Sequence, residues 1–234
     1  MSGYVDCVVW WLAKVTWLGH AAFKVELAGA TVLVDPFLDR NPSASVKASD
    51  IVKADAVFVT HDHGDHLGDA FSICRNTKAT FVATVELTDY AQQSGVANVA
   101  GLNIGGSFVV KKVKFSVVQA LHTASRGAPT GVILEGGGRS VYHAGDTGLF
   151  GDMRLIGEFY KPDLALLPIG GYYTMGAREA AEAVKMIGPK AVIPMHYRTF
   201  DVLARSANEF VKYVKKKAPK VKVVVLKPGE AYKF

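Results

Sequence analysis

"ADAVFVTHDHGDHLGDA", residues 54–70, sets an almost wholly apolar run directly against three histidines and three aspartates packed into positions 60–70. The apolar half reads as a strand covered on both faces. Crowding imidazoles and carboxylates into the loop behind it is costly unless a cation sits among them. His61 and His63 are two apart, so on extended backbone their rings point the same way. Asp65 and His66 follow directly, past the hinge Gly64. Imidazole with carboxylate suits a divalent transition metal rather than calcium or haem. No cysteine is near, which argues against an iron–sulfur cluster or a structural zinc finger.

Outward from this loop, the first third of the chain reads as strands: "KVTWLG", "AFKVEL" and "TVLVDP" are β-rich and bounded by Gly or Pro. Residues Leu67 to Arg75 are expected to form a helix behind the histidine loop, and "FVATVELTDYAQQSG" a strand followed by a helix. The middle is all strand. In "KKVKFSVV", Val113, Phe115 and Val117 alternate with Lys112, Lys114 and Ser116, then "GVILEG" and "SVYHAGD" follow. In the last third, "DLALLPI" and "AVIPM" read as strands, "GAREAAEAVKMIG" as a helix and "VKVVVL" as a closing strand. A second helix is expected from Asp201 as N-cap, with Leu203, Ala207, Phe210, Val211 and Val214 on one face. Two stacked sheets with helices outside both would cover every apolar face, an α/β four-layer αββα sandwich. "KADAVFVTHDH" and "GPKAVIPMHYR" echo one another and suggest two related halves.

The seven histidines are His20, His61, His63, His66, His122, His143 and His196. A lone His-x-His is weak evidence; His-x-His-x-Asp-His after an apolar strand is strong. Here the sequence resembles the metallo-β-lactamase superfamily over nearly the whole chain from about Ala13. "THDHGDH" matches its central motif, and "LVDP", "HTAS", "GDT" and "MHY" match the strand-end motifs around it. More narrowly, "WLGHAAF", "YHAGDTGLFGDM", "LLPIGGYYTMG" and "PMHY" resemble the small cytoplasmic metal-dependent hydrolases of the UPF0173 kind, related to ascorbate-6-phosphate lactonase.

The resemblance implies a metallo-β-lactamase-like fold and two divalent metal ions. His61, His63 and His122 would hold one, Asp65, His66 and His196 the other, and Asp146 would bridge them. Zinc is the expected metal, with manganese, iron and nickel as alternatives. Flavodiiron proteins, a related redox branch, place a glutamate where this chain has His63, which disfavours dioxygen chemistry. Two metals about 3.5–4 Å apart clamp an attacking and a leaving oxygen and lower the pKa of water toward about 7. The expected function is therefore hydrolysis of an ester, lactone or phosphoester by a hydroxide bridging the metals. Their charge, partly offset by Asp65, Asp146 and hydroxide, favours a small anionic or carbonyl-bearing substrate. Ser125 in "HTAS" is not expected to be a nucleophile.

Asp65 and His20 are the expected catalytic residues, His20 positioning substrate or protonating a leaving group near neutral pH. Asp35 is expected to accept an imidazole N–H and orient a ligand. Asp69 reads equally as a site residue or as a favourable charge at a helix start, and His143 as packing or support. Tyr172, Tyr173 and Thr174, and the arginines Arg126, Arg178 and Arg198, are candidate substrate contacts. Two other readings stand beside the hydrolase: a ribonuclease or phosphodiesterase acting on nucleic acid, and a non-catalytic protein that keeps the metal site for stability.

Composition narrows the field. The chain has 234 residues and a net charge of +6, from 27 Lys and Arg against 21 Asp and Glu. Part of that excess is "VKKKAPKVKV", which reads as a solvated helix end, so nucleic acid is a disfavoured partner. No run approaches the roughly 20 apolar residues of a membrane span. Cys7 and Cys74 lie far apart, as in a reduced cytoplasmic protein. Residues 1–12 are expected to be an N-terminal extension from a misplaced start, Leu12 standing where a TTG codon would initiate. Residues 13–234 are expected to be one hydrolase domain, with the oligomeric state, a homo-oligomer included, left open.

Overall fold

Two seven-stranded sheets are packed face to face in the computed structural model, which describes residues 13–234; the expected extension at 1–12 lies outside the described residues. The first sheet holds β1 (Lys14–Gly19), β2 (Ala22–Leu27), β3 (Ala30–Val34), β4 (Ala56–Phe58), β5 (Thr80–Thr84) and β6 (Val99–Leu102). The second holds β7 (Ser107–Val110), β8 (Val113–Gln119), β9 (Thr130–Gly136), β10 (Arg139–His143), β11 (Leu164–Pro168), β12 (Ala191–Met195) and β13 (Lys222–Val223). The last strand, β14 (Ala231–Lys233), crosses back to pair with β1. The orders are β14-β1-β2-β3-β4-β5-β6 and β7-β8-β9-β10-β11-β12-β13.

Each sheet has the same plan: three antiparallel pairings, then three parallel ones. The parallel strands β4, β11 and β12 are buried along their whole length, which is why their sequences are unbroken apolar runs. Between the sheets, Phe58 stacks on Phe115 with ring centroids 6.4 Å apart, and both rings are fully buried. Truncating either would cost about 3–5 kcal/mol.

Helices α2 (Ala70–Thr77) and α3 (Val85–Gln93) cover the outer face of the first sheet, setting Ile73, Cys74, Leu87 and Ala91 against Val57, Val59 and Phe81. Helices α4 (Met153–Tyr160), α5 (Ala177–Ile187) and α6 (Asn208–Lys217) cover the second. The result is the expected αββα sandwich. No helix among the described residues is long and apolar enough to cross a membrane.

Four local expectations are corrected. The helix expected over Leu67–Arg75 is broken: a single turn, α1 (Gly64–Leu67), stops at Gly68 before α2 begins. Gly68 has φ +40°, and a Cβ there would meet the Phe37 Cα at 2.5 Å, so the 36–37 backbone occupies the space a continuous helix needs. Asp201 caps no helix, because α6 starts at Asn208. The intervening loop spends its backbone bonds elsewhere: the Ala204 N–H donates to the Gly170 carbonyl and the Arg198 N–H to the Ala204 carbonyl. Leu203, Ala207, Phe210 and Val214 are nonetheless buried, as their spacing implied. "VKVVVL" contributes only the two-residue β13. Finally, the echoing segments do not hold equivalent places. β4 is fifth in its sheet and β12 sixth, so the repeated plan matches β4 with β11 instead.

Strands β1, β3 and β4 run in one direction, as do β8, β10, β11 and β12 in the second sheet. Their C-terminal ends deliver His20, Asp35, the 60–66 loop, His122, Asp146 and His196 to one rim of the sandwich.

Candidate metal centre

Asp35 follows β3 with φ +47°, a left-handed conformation that turns its fully buried carboxylate under the histidine loop. Its Oδ1 accepts the Thr60 N–H at 2.8 Å. Its Oδ2 accepts the Thr60 hydroxyl at 2.8 Å and His66 Nδ1–H at 2.7 Å. Thr60 has one hydroxyl proton, and it goes to Asp35. Its oxygen, 3.0 Å from His61 Nδ1, must then accept from that nitrogen. One carboxylate thus fixes two tautomers, leaving the Nε2 lone pairs of His61 and His66 facing outward from the strand end.

Three ring nitrogens meet on one side. His63 Nδ1 lies 3.0 Å from His61 Nε2 and 3.3 Å from His122 Nε2. A triangle of imidazole nitrogens is a poor hydrogen-bond network and a good ligand face. On the other side, His66, His196 and Asp65 bring donor atoms within 4.8 Å of one another, with His20 among them. Asp146 lies between the two groups: its Oδ2 is 3.2 Å from His66 Nε2, 3.0 Å from His196 Nε2 and 3.7 Å from His122 Nε2. All seven residues expected as ligands therefore converge.

A direct test of whether a metal fits lies in the unpartnered atoms. His66 Nε2, His196 Nε2 and Asp146 Oδ1 are buried and make no hydrogen bond. The short nitrogen–oxygen distances fail as hydrogen bonds because the groups do not aim at one another. Such buried, unsatisfied polar atoms are rare and call for a cause. Together with three closely spaced carboxylates, Asp35, Asp65 and Asp146, they fit divalent cations held in common.

The electrostatics agree. Burial opposes ionisation of Asp146, yet His66 and His196 hold it well below the ordinary carboxylate value. Burial likewise opposes a charge on His66, but Asp146 and Asp35 raise its pKa well above that of free imidazole. Burial and the neighbouring His66 push His61 down to about 2. For Asp65, the hydrogen bond from His20 and the charge of His66 outweigh burial and favour the ionised form. At neutral pH this leaves carboxylates charged and His61 neutral, the forms a metal takes, while the extra proton that Asp146 and Asp35 hold on His66 is one that a binding cation would displace from Nε2.

Other expected residues fall in varied places. His20 is fully buried, with Nδ1 2.8 Å from Thr199 Oγ1 and Nε2 3.1 Å from Asp65 Oδ2. Burial pushes it down to about 4. It stands behind Asp65 as a neutral donor and does not line the cavity. His143 donates from Nε2 to the Ala21 carbonyl at 2.9 Å and accepts the Gly145 N–H on Nδ1 at 3.1 Å, so both nitrogens brace backbone. Asp69 does stand at a helix start, as the N-cap of α2, although its side chain makes no capping hydrogen bond. Its Oδ2 accepts the N–H groups of Leu38 and Asp39, both at 2.9 Å.

Asp62 was passed over in the sequence, where it reads as the spacer between two histidines. Its side chain is only 2% exposed. Its Oδ1 accepts the Ser125 N–H at 2.8 Å and its Oδ2 takes Arg126 at 3.2 Å, clamping the loop that carries His122. Arg126 also lies over the Tyr90 ring at 4.1 Å, so it serves this clamp instead of substrate. Thr147 does a similar job, accepting the Leu121 N–H at 3.0 Å. Only long-range pairing reveals either residue.

A cavity of about 540 Å³ opens over the donors. His63, Asp65, His122, Asp146 and His196 form its floor, and Tyr173, Phe200 and Val202 its walls. Tyr172, Thr174, Arg178 and Arg198 do not line it.

Residues 30–197 match the model of a β-lactamase superfamily domain. Fold and site together define a metal-dependent hydrolase of the metallo-β-lactamase superfamily, with a His/Asp cluster able to bind metal ions. A UPF0173 metal-dependent hydrolase of Methanopyrus kandleri is 50% identical over 228 residues, covering 94% of this chain and 99% of the relative. A counterpart from Hyperthermus butylicus is 50% identical over 230 residues, covering 95% and 100%. The structure of a metallo hydrolase from Ignicoccus hospitalis superposes with a TM-score of 0.90 at 41% identity, covering 96% and 99%. The chain belongs to the UPF0173 family of metal-dependent hydrolases.

Proposed function

We propose that this hydrolase cleaves an ester, lactone or phosphoester bond in a small, anionic substrate. The observation that carries the reading is the convergence of five imidazoles and two carboxylates around unpartnered nitrogens at the floor of an open cavity. His61, His63 and His122 would hold one divalent ion, and Asp65, His66 and His196 a second, with Asp146 shared between them. Bound there, such a pair supplies Lewis-acid polarisation and, by lowering the pKa of water from 15.7 toward about 7, hydroxide at neutral pH.

The chain's own residues do the rest. Asp35 and Thr60 keep the protons of His61 and His66 on Nδ1, so Nε2 stays free. His20 donates to Asp65 and fixes its carboxylate without drawing on the cavity's water. Asp62 and Thr147 hold the 121–126 loop, and with it His122, over the floor. Tyr173, Phe200 and Val202 shield the reacting bond from bulk water and favour a substrate with an apolar body. A cavity of this size suits a small molecule.

The test is to load purified protein separately with zinc, manganese, iron and nickel, measure metal content, and screen lactones, carboxylic esters, phosphomonoesters and phosphodiesters. Zinc is the expected best metal for this nitrogen-rich donor set. His61→Ala and Asp146→Ala should each abolish turnover and lower bound metal. Full turnover in either variant, or a metal-loaded protein inert across the panel, overturns the proposal.

A further inference from the structure

A second cavity, of about 420 Å³, lies beside the first; Asp65 and Phe200 line both. Its walls are apolar, from Phe37, Leu67 and Phe200, and its basic side chain is Arg40. The donor cavity has no lysine or arginine. Arg40 is thus the one cation lining either space among the described residues.

The segment that presents Arg40 is held firmly. Asp69 Oδ2 accepts the N–H groups of Leu38 and Asp39. The side chain of Asn41, a residue 5% exposed, donates to the Phe37 carbonyl at 3.1 Å and accepts the Ser43 N–H at 2.9 Å. Gly68 presses on the backbone of Pro36 and Phe37 from below. Asp69 anchors this turn to the same 64–69 segment that carries Asp65 and His66. Arg40 is exposed and, among the described residues, forms no ion pair; Arg75, Arg178 and Arg198 share that state, but of the four only Arg40 lines either cavity. Two carboxylates share its cavity, but Asp65 turns to His20 and the metal donors, and Asp69 Oδ2 is occupied by two backbone donors.

The geometry points to an anion subsite at Arg40, so that the substrate is bifunctional. Its scissile carbonyl or phosphoryl group sits over the donors, its carbon chain crosses Phe37, Leu67 and Phe200, and a terminal oxyanion, carboxylate or phosphate, pairs with Arg40. A guanidinium fork suits that group, since it grips two oxygens at once. This rests on the metal-hydrolase reading above and narrows its substrate class.

The experiment is calorimetric titration of the zinc-loaded protein with two matched series. One is phosphonoacetate, 3-phosphonopropionate and 4-phosphonobutyrate; the other is the alkylphosphonates of equal chain length. The phosphonate seeks the metals, and the carboxylate is the only difference between partners. In wild type, at one or more chain lengths, the carboxylate should tighten binding about tenfold or more. In Arg40→Gln that gain should fall to about onefold, and Arg40→Lys should keep part of it. A gain absent at every length, or equal in wild type and Arg40→Gln, overturns the subsite while leaving the hydrolase reading intact. Failure of every compound in both series to bind also overturns the subsite, whereas a protein that takes up no zinc at the loading step overturns the metal reading, and the subsite with it.

Discussion

Replacing Asp35 with Asn keeps shape and removes charge, and the consequence follows from three hydrogen bonds. Asn tolerates the φ of +47° that Asp35 adopts, so the backbone stays in place. The carboxylate now accepts from the Thr60 N–H, the Thr60 hydroxyl and His66 Nδ1–H. An amide has one acceptor oxygen and one donor nitrogen. If the oxygen stays on the Thr60 N–H, the amide NH2 faces His66 and requires Nδ1 to accept. The His66 proton then moves to Nε2, the nitrogen that must face the metal. The Thr60 hydroxyl loses its acceptor as well and is free to turn toward His61 Nδ1, which disturbs the second tautomer. A hydrogen bond to an ionised group is worth about 1.5–3 kcal/mol, or roughly 10- to 150-fold in an equilibrium constant. That agrees with the 10- to 100-fold typical of lost ligand-orienting partners. Zinc affinity, measured by competition with a chromophoric chelator, should fall by about that factor, with metal content counted in parallel. A folded Asn variant that holds zinc as tightly as wild type, and as much of it, would refute the reasoning.

Three further outcomes are expected. Asp62→Ala should free the 121–126 loop and weaken zinc binding about 10- to 100-fold by the same competition assay, while Asp62→Asn, which still accepts the Ser125 N–H, should recover much of the loss. Gly68→Ala should destabilise the fold by more than about 2 kcal/mol in urea unfolding, because its φ of +40° disfavours a Cβ that would also strike the 36–37 backbone. Burial opposes ionisation of Asp55, yet Lys111 at 2.6 Å and the Thr31 N–H at 2.8 Å bring its pKa below the ordinary 3.8. A lowered folded-state pKa gives stability that is complete above 3.8 and fades as pH falls through the folded value. The stability gap between wild type and Asp55→Asn should therefore be about 1 kcal/mol at pH 7 and close on acidification below that point.

The donors were legible because metal chemistry restricts residue type and because each one ends a strand whose apolar run marks it. The sandwich was legible for a related reason, since buried parallel strands cannot alternate. The supporting residues were not legible. Asp62 looks like a spacer until Ser125 is brought beside it, and Asp69, which does begin α2, gives no sign in the sequence that its carboxylate bonds the 36–39 turn. The start of α6 is not legible because Asp201 has cap chemistry, while the decisive bond, from the Ala204 N–H to the Gly170 carbonyl, joins segments distant in the chain. The echo between residues 53–63 and 188–198 reflects a shared demand, a buried strand ending in an imidazole, and not an equivalent position.

The repeated plan of the two sheets has a mechanical consequence. His61, His63, Asp65 and His66 are carried by the first sheet, and His122, Asp146 and His196 by the second. With the ligand sets proposed above, neither half of the chain owns a complete one, so a cation seated there would act as a clasp across the seam. Its binding energy is then spent on keeping the halves shut, and chelation should loosen the sandwich at this rim before it melts either sheet.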